Sequence, residues 1–298
     1  MNCLICGSSN IETIDTVVSD FVMARINSRF TPGSNYKTKL CFCRECSFAY
    51  YDYRLNKEEE YNLYKNYRDE SYQKTREYYE CWYTKKVNEI INSDEIALKE
   101  QQDLIKSMLF NITDKEIKIA LDYGGNEGKS FVDEIGTRKK YVYDISGIKP
   151  VNGVETISNH LDLKSYRYDF IMCNMLFEHL SYPMVDMKKL WDIGDEDTIF
   201  YIEVPSENPF IKGSKFSLSK NLKLAFNPTY NFYKLAKYYF KIIQGPFMPM
   251  KEHINFFTEK SLKKMLEMSN FKAIAVCESN RNSKLGNSKV LSALFNKI

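Results

Sequence analysis

A strand-length apolar run ends in a glycine-rich turn near the middle of the chain. The run covers Ile117–Tyr123, and Gly124-Gly125-Asn126-Glu127-Gly128 follows it directly. Glycines after a strand allow the backbone to approach a ligand closely, and a helix that begins next offers free N–H groups to it. We therefore predict a strand, a ligand-binding turn and a helix that begins at Lys129.

Further strand-length runs follow this turn, with helical segments between them. Alternation of this kind predicts an α/β fold with a doubly wound, largely parallel sheet and helices on both of its faces. The last strand is expected to be antiparallel. The predicted strands are 141–144, 153–157, 168–175, 198–204, 271–277 and 289–295, and a helix is predicted over 258–269.

An acidic residue stands at the end of the second predicted strand. Asp144 lies 22 positions after Asp122, close to the spacing of about 20 in nucleotide-binding units, where a carboxylate accepts hydrogen bonds from a ribose diol. The turn does not match the dinucleotide fingerprint, because Asn126 and Lys129 stand where that pattern needs glycines. It does not match a P-loop either, because the first glycine would fall on Tyr123.

Five of the eight cysteines lie within the first 46 residues. Cys3 and Cys6 form one C-x2-C knuckle, and Cys43 and Cys46 form a second. Two knuckles supply four thiolates, the tetrahedral set that suits a structural zinc ion. The 36 residues between the knuckles exceed the spacing of about 15–20 in compact zinc sites, but loop-closure entropy grows slowly with length. Cys41 is expected to stay outside the metal site.

The composition of the chain divides it into three units. Residues 51–110 carry 13 acidic and 10 basic residues and no glycine or proline, which predicts helices. We therefore expect a four-cysteine zinc-binding unit at 1–50, a helical linker or cap at 51–110 and the α/β domain at 111–298.

The charge and the hydrophobic pattern of the chain argue against several classes of protein. A net charge of +3, from 42 basic and 39 acidic residues, is too small for a dedicated nucleic-acid-binding protein. No apolar run is long enough for a transmembrane helix, and the first residues lack the pattern of a signal peptide. We expect a cytoplasmic protein, whose cysteines are metal-bound or free.

A basic aromatic insertion interrupts the α/β pattern at 206–250. It contains seven lysines, ten aromatic residues and one acidic residue, Glu207. Within it, 228–243 is predicted to be an amphipathic helix. Three interpretations remain open: a lid over the substrate, a peripheral contact with an anionic membrane surface, or a helix packed on the domain with solvated lysines.

The glycine turn resembles motif I of the class I S-adenosylmethionine (SAM) methyltransferases, in the variant with Asn in the turn that is found in deoxysugar methyltransferases. Residues 143–146 resemble motif II, Leu161-Asp162 stands where the family has an adenine-contacting acid, and 168–174 resemble motif IV. The resemblance implies a Rossmann-like sheet that binds SAM through Asp122, Gly124, Gly125, Asn126, Gly128, Asp144, Ile145, Asp162 and Asn174.

Two further segments resemble sugar methyltransferases. A four-cysteine zinc unit precedes the catalytic domain in those enzymes too, and residues 251–257 are similar to the Glu-His-aromatic segment of the sugar C-methyltransferases. The match implies that His253 is a catalytic base and that Glu252 orients it or binds a sugar hydroxyl. His179 matches a family histidine near the same pocket. A structural role remains open for both histidines, because a histidine in either position can anchor a helix.

The resemblance implies a SAM-dependent methyltransferase that acts on a sugar, either nucleotide-linked or part of a surface glycan precursor. The related C-methyltransferases continue with a further α/β domain, whereas this chain continues for only about 40 residues after His253, so O-methylation is as open as C-methylation. The alternatives are O-methylation of another small metabolite and a non-catalytic zinc-knuckle binding protein. The sequence indicates no oligomeric state.

Overall fold

The computed structural model of the chain describes residues 1–27, 29–34, 36–210 and 248–298. Most of the predicted insertion at 206–250, including the amphipathic helix predicted over 228–243, therefore lies outside the described residues. None of the described helices combines the length and the apolar character that a membrane span requires.

The N-terminal residues form a small antiparallel sheet that is completed by a distant segment. Its strands are β1 (Ile11–Val17), β2 (Lys37–Cys43), β3 (Ala49–Tyr51) and β9 (Asn255–Phe256), in that order. Helix α1 (Asp20–Ile26) connects β1 to β2. Because β9 follows Glu252 and His253 directly, the cysteine-rich unit and this predicted site segment belong to one sheet.

Four helices follow the small sheet, as the composition of 51–110 predicts. They are α2 (Lys57–Tyr64), α3 (Glu70–Tyr79), α4 (Lys85–Asn92) and α5 (Glu95–Phe110). Each begins at a polar residue whose side chain accepts a hydrogen bond from a backbone N–H of the first turn, which satisfies a donor that has no partner within the helix. These capping residues are Asn56, Asp69, Thr84 and Asp94.

Among the described residues the main sheet has seven strands, and the predicted α/β architecture is confirmed. The central strands run parallel, whereas β11 is antiparallel to both of its neighbours, as expected for the end of the chain. The strand order is β10-β11-β8-β7-β4-β5-β6. The strands are β4 (Ile117–Tyr123), β5 (Ile135–Tyr143), β6 (Val154–Thr156), β7 (Phe170–Asn174), β8 (Ile199–Pro205), β10 (Phe271–Arg281) and β11 (Ser288–Lys297).

The helix predicted from Lys129 is absent, and that prediction is wrong. Residues 124–134 form turns between β4 and β5. Helix α5 covers this face of the sheet, and the Gln102 side chain donates hydrogen bonds of 3.0 Å to the carbonyl oxygens of Lys129 and Phe131. These two hydrogen bonds satisfy carbonyl groups that would otherwise be paired within a helix, and the Phe131 side chain is buried.

Helices nevertheless cover both faces of the sheet. Because side chains alternate along a strand, neighbouring residues of β4 and β7 face opposite layers. On one face, Leu109 of α5 packs with Ala120 and Phe170. The other face is covered by α6 (Pro183–Ile193) and α7 (Glu259–Met268), whose buried residues share a cluster with Leu121 and Ile171.

The core of the second face continues into the cysteine-rich unit. The rings of Phe48 and Phe257 lie 5.1 Å apart, and both side chains are buried in the same cluster as the cysteines. A backbone bridge between Val18 and Met250 adds a second connection. Packing therefore connects the N-terminal sheet to the core on the second face of the main sheet.

Candidate functional site

The glycine turn after β4 requires backbone conformations that few residues adopt. Gly124 and Gly128 have φ angles of +77° and +71°, and Asn126 has +52°; these values lie in the left-handed region that favours Gly and Asn. At Gly125 a Cβ atom would overlap the carboxyl group of Asp122. The turn therefore packs directly on the end of β4.

Asp144 lies at the end of β5, as the sequence predicts, and its carboxylate connects β5 to this turn. Its Oδ2 accepts a hydrogen bond of 2.9 Å from the backbone N–H of Asn126, and its Oδ1 accepts one of 2.7 Å from Ser146. The predicted residues Ile145 and Asp162 are exposed and lie beyond the ends of β5 and β6. Carboxyl ends of parallel strands are where ligands bind in sheets of this kind.

Two buried polar side chains lie next to this turn without hydrogen-bond partners. Asp122 is completely buried and Asn174 is 9% exposed. None of their polar side-chain atoms makes a hydrogen bond of normal geometry among the described residues, although the nearby Asn174 amide makes a small contribution that lowers the pKa of Asp122. Burial, reinforced by the charge of Asp144, raises the pKa of Asp122 to about 8. Since an unsatisfied buried polar group is costly, these atoms indicate a ligand with hydrogen-bond donors or positive charge.

The two predicted histidines lie together at a second position. The rings of His179 and His253 are 4.9 Å apart and nearly perpendicular. Nδ1 of His179 lies 3.0 Å from the carbonyl oxygen of Glu252 and 3.1 Å from the hydroxyl oxygen of Tyr64. Burial, with a contribution from His253, lowers the pKa of His179 to about 3, so its imidazole is neutral.

His253 has a carboxylate partner that the sequence analysis did not identify. Its Nδ1 lies 3.6 Å from Oε2 of Glu207. Burial opposes protonation of His253, but contacts with Glu207 and the charge of Glu178 outweigh it, so its pKa is raised. Glu207 follows the end of β8 by two residues, and an acidic residue at the carboxyl end of a parallel strand is the signal that could have identified it.

Glu252 faces away from His253, toward helix α3. Its Oε2 lies 2.6 Å from Nη1 of Arg76, and its Oε1 accepts a short hydrogen bond from Tyr72. Burial alone would raise the pKa of Glu252, but the charge of Arg76 and the hydrogen bond from Tyr72 favour the ionised form, and the pKa is lowered. These contacts anchor the segment that carries His253, whereas the expected orienting contact is made by Glu207.

Glu178 completes a cluster with the two histidines. It is 2% exposed, its Oε1 lies 3.8 Å from Nε2 of His179, and its Oε2 has no hydrogen-bond partner among the described residues. Burial raises the pKa of Glu178 to about 7. One side-chain atom each of Glu178, His179 and His253 lies within 4.8 Å of the others.

The four knuckle cysteines come together as predicted. Sγ of Cys3 lies 3.6 Å from Sγ of Cys46, and Sγ of Cys6 lies 3.5 Å from Sγ of Cys43; all four sulfur atoms lie within 4.8 Å of one another. A tetrahedral zinc ion with Zn–S bonds of about 2.3 Å holds its ligands about 3.8 Å apart, so the cluster is compatible with zinc. Cys41 lies apart, with its sulfur 3.3 Å from Sδ of Met1.

A family model described as a methyltransferase domain matches residues 95–276. The matched region begins with α5, contains β4 to β8 and the glycine turn, and ends within β10. The comparison with curated proteins found no match.

Several solved structures have a similar chain trace. A SAM-dependent methyltransferase from Anabaena variabilis is 12% identical, with a TM-score of 0.46 over 70% of this chain and 90% of that one. The 1,6-didemethyltoxoflavin-N1-methyltransferase of Burkholderia thailandensis, with bound S-adenosylhomocysteine, is 14% identical. Its TM-score is 0.49, over 90% of this chain and 98% of that one. The magnesium protoporphyrin IX methyltransferase of Synechocystis is 13% identical, with a TM-score of 0.41 over 70% of this chain and 86% of that one. The substrates named for these proteins do not identify the substrate of the present chain.

Proposed function

The chain belongs to the methyltransferase domain family and is a SAM-dependent methyltransferase, and we propose that its acceptor is a sugar, nucleotide-linked or part of a surface glycan precursor. The arrangement that supports this proposal is the polar cluster of His179, His253 and Glu207 beyond β7 and β8. Imidazole and carboxylate groups suit an acceptor rich in hydroxyl groups. The similarity of residues 251–257 to sugar methyltransferases favours the same class.

The residues at the glycine turn fit SAM. SAM supplies an electrophilic methyl group on its sulfonium sulfur, and it also carries an ammonium group and a ribose diol. The unpartnered carboxylate of Asp122 suits the ammonium group, because burying a charged group requires a partner. Asp144 retains acceptor capacity for ribose hydroxyls, and Gly124 and Gly125 admit a ligand close to the backbone.

His253 is proposed to activate the acceptor hydroxyl. In the simplest form of the step, the hydroxyl proton passes to the imidazole as the oxygen bonds to the methyl carbon. The carbon–sulfur bond breaks at the same time, and its electron pair remains on sulfur. Glu207 stabilises the imidazolium that results. Glu252 acts as a positioning residue, because its ion pair with Arg76 holds this segment against α3.

A structural zinc ion is proposed for the four knuckle cysteines. Four sulfur ligands leave no open position for a substrate, so the ion would stabilise the fold and take no part in chemistry. The sheet it supports includes β9, which follows His253. The zinc unit therefore supports the position of the acceptor site.

SAM binding and methyl transfer test this assignment. Calorimetry of the zinc-replete protein is expected to give micromolar SAM affinity, and Asp144→Ala is expected to weaken it at least about tenfold because the ribose contact is lost. Asp103→Asn, an exposed change on α5, is the matched control.

Labelled methyl groups should then transfer to sugars or nucleotide sugars. Transfer to non-sugar hydroxyl compounds alone would overturn the sugar assignment.

The pH dependence of SAM binding tests the role of Asp122. Because its pKa is raised to about 8, the carboxyl group must lose a proton before it can pair with a cation. SAM affinity is therefore expected to rise by up to about tenfold per pH unit between about pH 6 and about pH 8. Asp122→Asn should weaken binding and flatten this slope, while titration of SAM itself affects both proteins equally. An equally steep slope in the variant would contradict the role.

A further inference from the structure

We propose that Glu178, His179 and His253 bind a first-row divalent cation whose remaining positions accept an oxygen atom of the methyl acceptor. Two imidazoles and one carboxylate on one side of a metal ion are a known ligand set that leaves positions open for substrate. The three side chains already lie within 4.8 Å of one another. This site is separate from the four-cysteine cluster.

The hydrogen bonds of His179 leave the correct nitrogen available for a metal ion. Its Nδ1 lies 3.0 Å from the carbonyl oxygen of Glu252, and a carbonyl can only accept a hydrogen bond. The proton of the neutral ring is therefore on Nδ1, and Nε2 carries the lone pair. Nε2 is the nitrogen that faces Glu178, at 3.8 Å from Oε1. Metal-binding histidines are oriented in the same way, with the second ring nitrogen donating to a carbonyl or carboxylate.

Glu178 is a buried carboxyl group, and one of its two oxygens makes no hydrogen bond within the described part of the chain. This oxygen is Oε2, and the side chain is only 2% exposed. A buried anionic oxygen requires compensation, since its hydration is lost. A cation held between Glu178 and the imidazoles provides this compensation.

His253 has the same organisation as His179. Its Nδ1 faces the carboxylate of Glu207 at 3.6 Å, which leaves Nε2 as the metal ligand and Glu207 as the group that orients the ring. The backbone fixes the three ligands relative to one another, because the N–H groups of Ile254 and Asn255 donate to the carbonyl oxygen of Glu178 at 2.8 Å and 3.0 Å. Such preorganisation is a requirement for a metal site.

The consequence for catalysis deepens the proposed function and rests on it. A hydroxyl group bound to a divalent cation loses its proton more readily. With the cation in place, water would take the acceptor proton, the oxygen would bond to the methyl carbon as an alkoxide, and the carbon–sulfur bond would break with its electron pair on sulfur. His253 would then act as a metal ligand, and this role would replace the proton-accepting role proposed for it above. A site of this kind favours an oxygen acceptor and therefore O-methylation over C-methylation.

Metal titration of the full, zinc-replete chain tests the inference without SAM or acceptor. Mn²⁺ is added and its free signal is followed by electron paramagnetic resonance, because a four-thiolate site prefers softer ions and keeps its zinc. Co²⁺ absorption serves as a second probe. One ion per chain is expected to bind, with visible cobalt bands that lack sulfur-to-cobalt charge transfer.

Two ligand variants and one control decide the result. Glu178→Gln and His253→Ala are each expected to weaken binding at least about tenfold, whereas Glu259→Gln, an exposed change on α7, should have no effect. Unchanged zinc content and thermal midpoint show that the variants are folded. Absence of Mn²⁺ and Co²⁺ binding up to millimolar concentration, or equal binding in the variants, would overturn the proposal. SAM calorimetry remains a separate test of the proposed function.

Discussion

Replacing Cys43 with serine is expected to remove zinc from the N-terminal unit and to destabilise the whole acceptor side of the enzyme. Structural zinc sites in small peptides bind with apparent free energies of about 10–16 kcal/mol, which is comparable to the total stability of a domain, about 5–15 kcal/mol. Cys43 ends β2, the strand that pairs with β3, and β3 in turn pairs with β9. The effect is therefore expected to reach the segment that carries His253.

Zinc content per chain, thermal unfolding and methyl transfer measure this effect. The Cys43→Ser protein should contain almost no zinc, unfold at a much lower temperature and lose turnover. Cys41→Ala is the matched control, because Cys41 lies on the same strand and is equally buried but stands outside the sulfur cluster. A Cys43→Ser protein with wild-type zinc content and thermal midpoint would rule out the proposed zinc site.

His253→Ala is expected to lower turnover by at least about 10²-fold while SAM affinity stays within about twofold. Turnover falls whether the imidazole takes the proton itself or holds a cation that polarises the acceptor. SAM affinity is retained because the residues that fit SAM lie on β4, β5 and β7, whereas His253 precedes β9 in the smaller sheet.

Turnover is measured with labelled SAM and the accepted sugar, and SAM affinity by calorimetry. Lys260→Ala is the control variant, since Lys260 is an exposed residue on the nearby helix α7. Near-normal turnover in His253→Ala would remove His253 from the catalytic role. A parallel loss of SAM affinity and thermal stability would instead show that His253 has a structural role.

The elements that could be predicted from sequence depend on short-range patterns. The strand before Gly124, the turn itself and the acidic residue Asp144 are close together along the chain, and each lies where the sequence predicts it. The knuckles Cys3-x2-Cys6 and Cys43-x2-Cys46 can likewise be identified from their spacing, because two thiols on one tight turn form half of a tetrahedral zinc site.

The contacts that the sequence did not indicate depend on packing between distant segments. The helix expected at Lys129 does not form, because α5 covers that face and Gln102 binds the carbonyl groups there. No local pattern around residue 129 contains this information. Helix propensity is a weak preference that tertiary contacts override.

The acceptor site likewise combines features that the sequence indicates with contacts that only packing decides. The sequence alone indicated His179, Glu252 and His253 as candidates, since their segments resemble those of the sugar methyltransferases. Tertiary structure decided which of them act together. Arg76 of α3 neutralises Glu252, and Glu207 contacts His253 instead. A buried carboxylate pairs with whichever cation the fold brings to it, because an unpaired buried charge is too costly, and that choice depends on how the helices pack against the sheet.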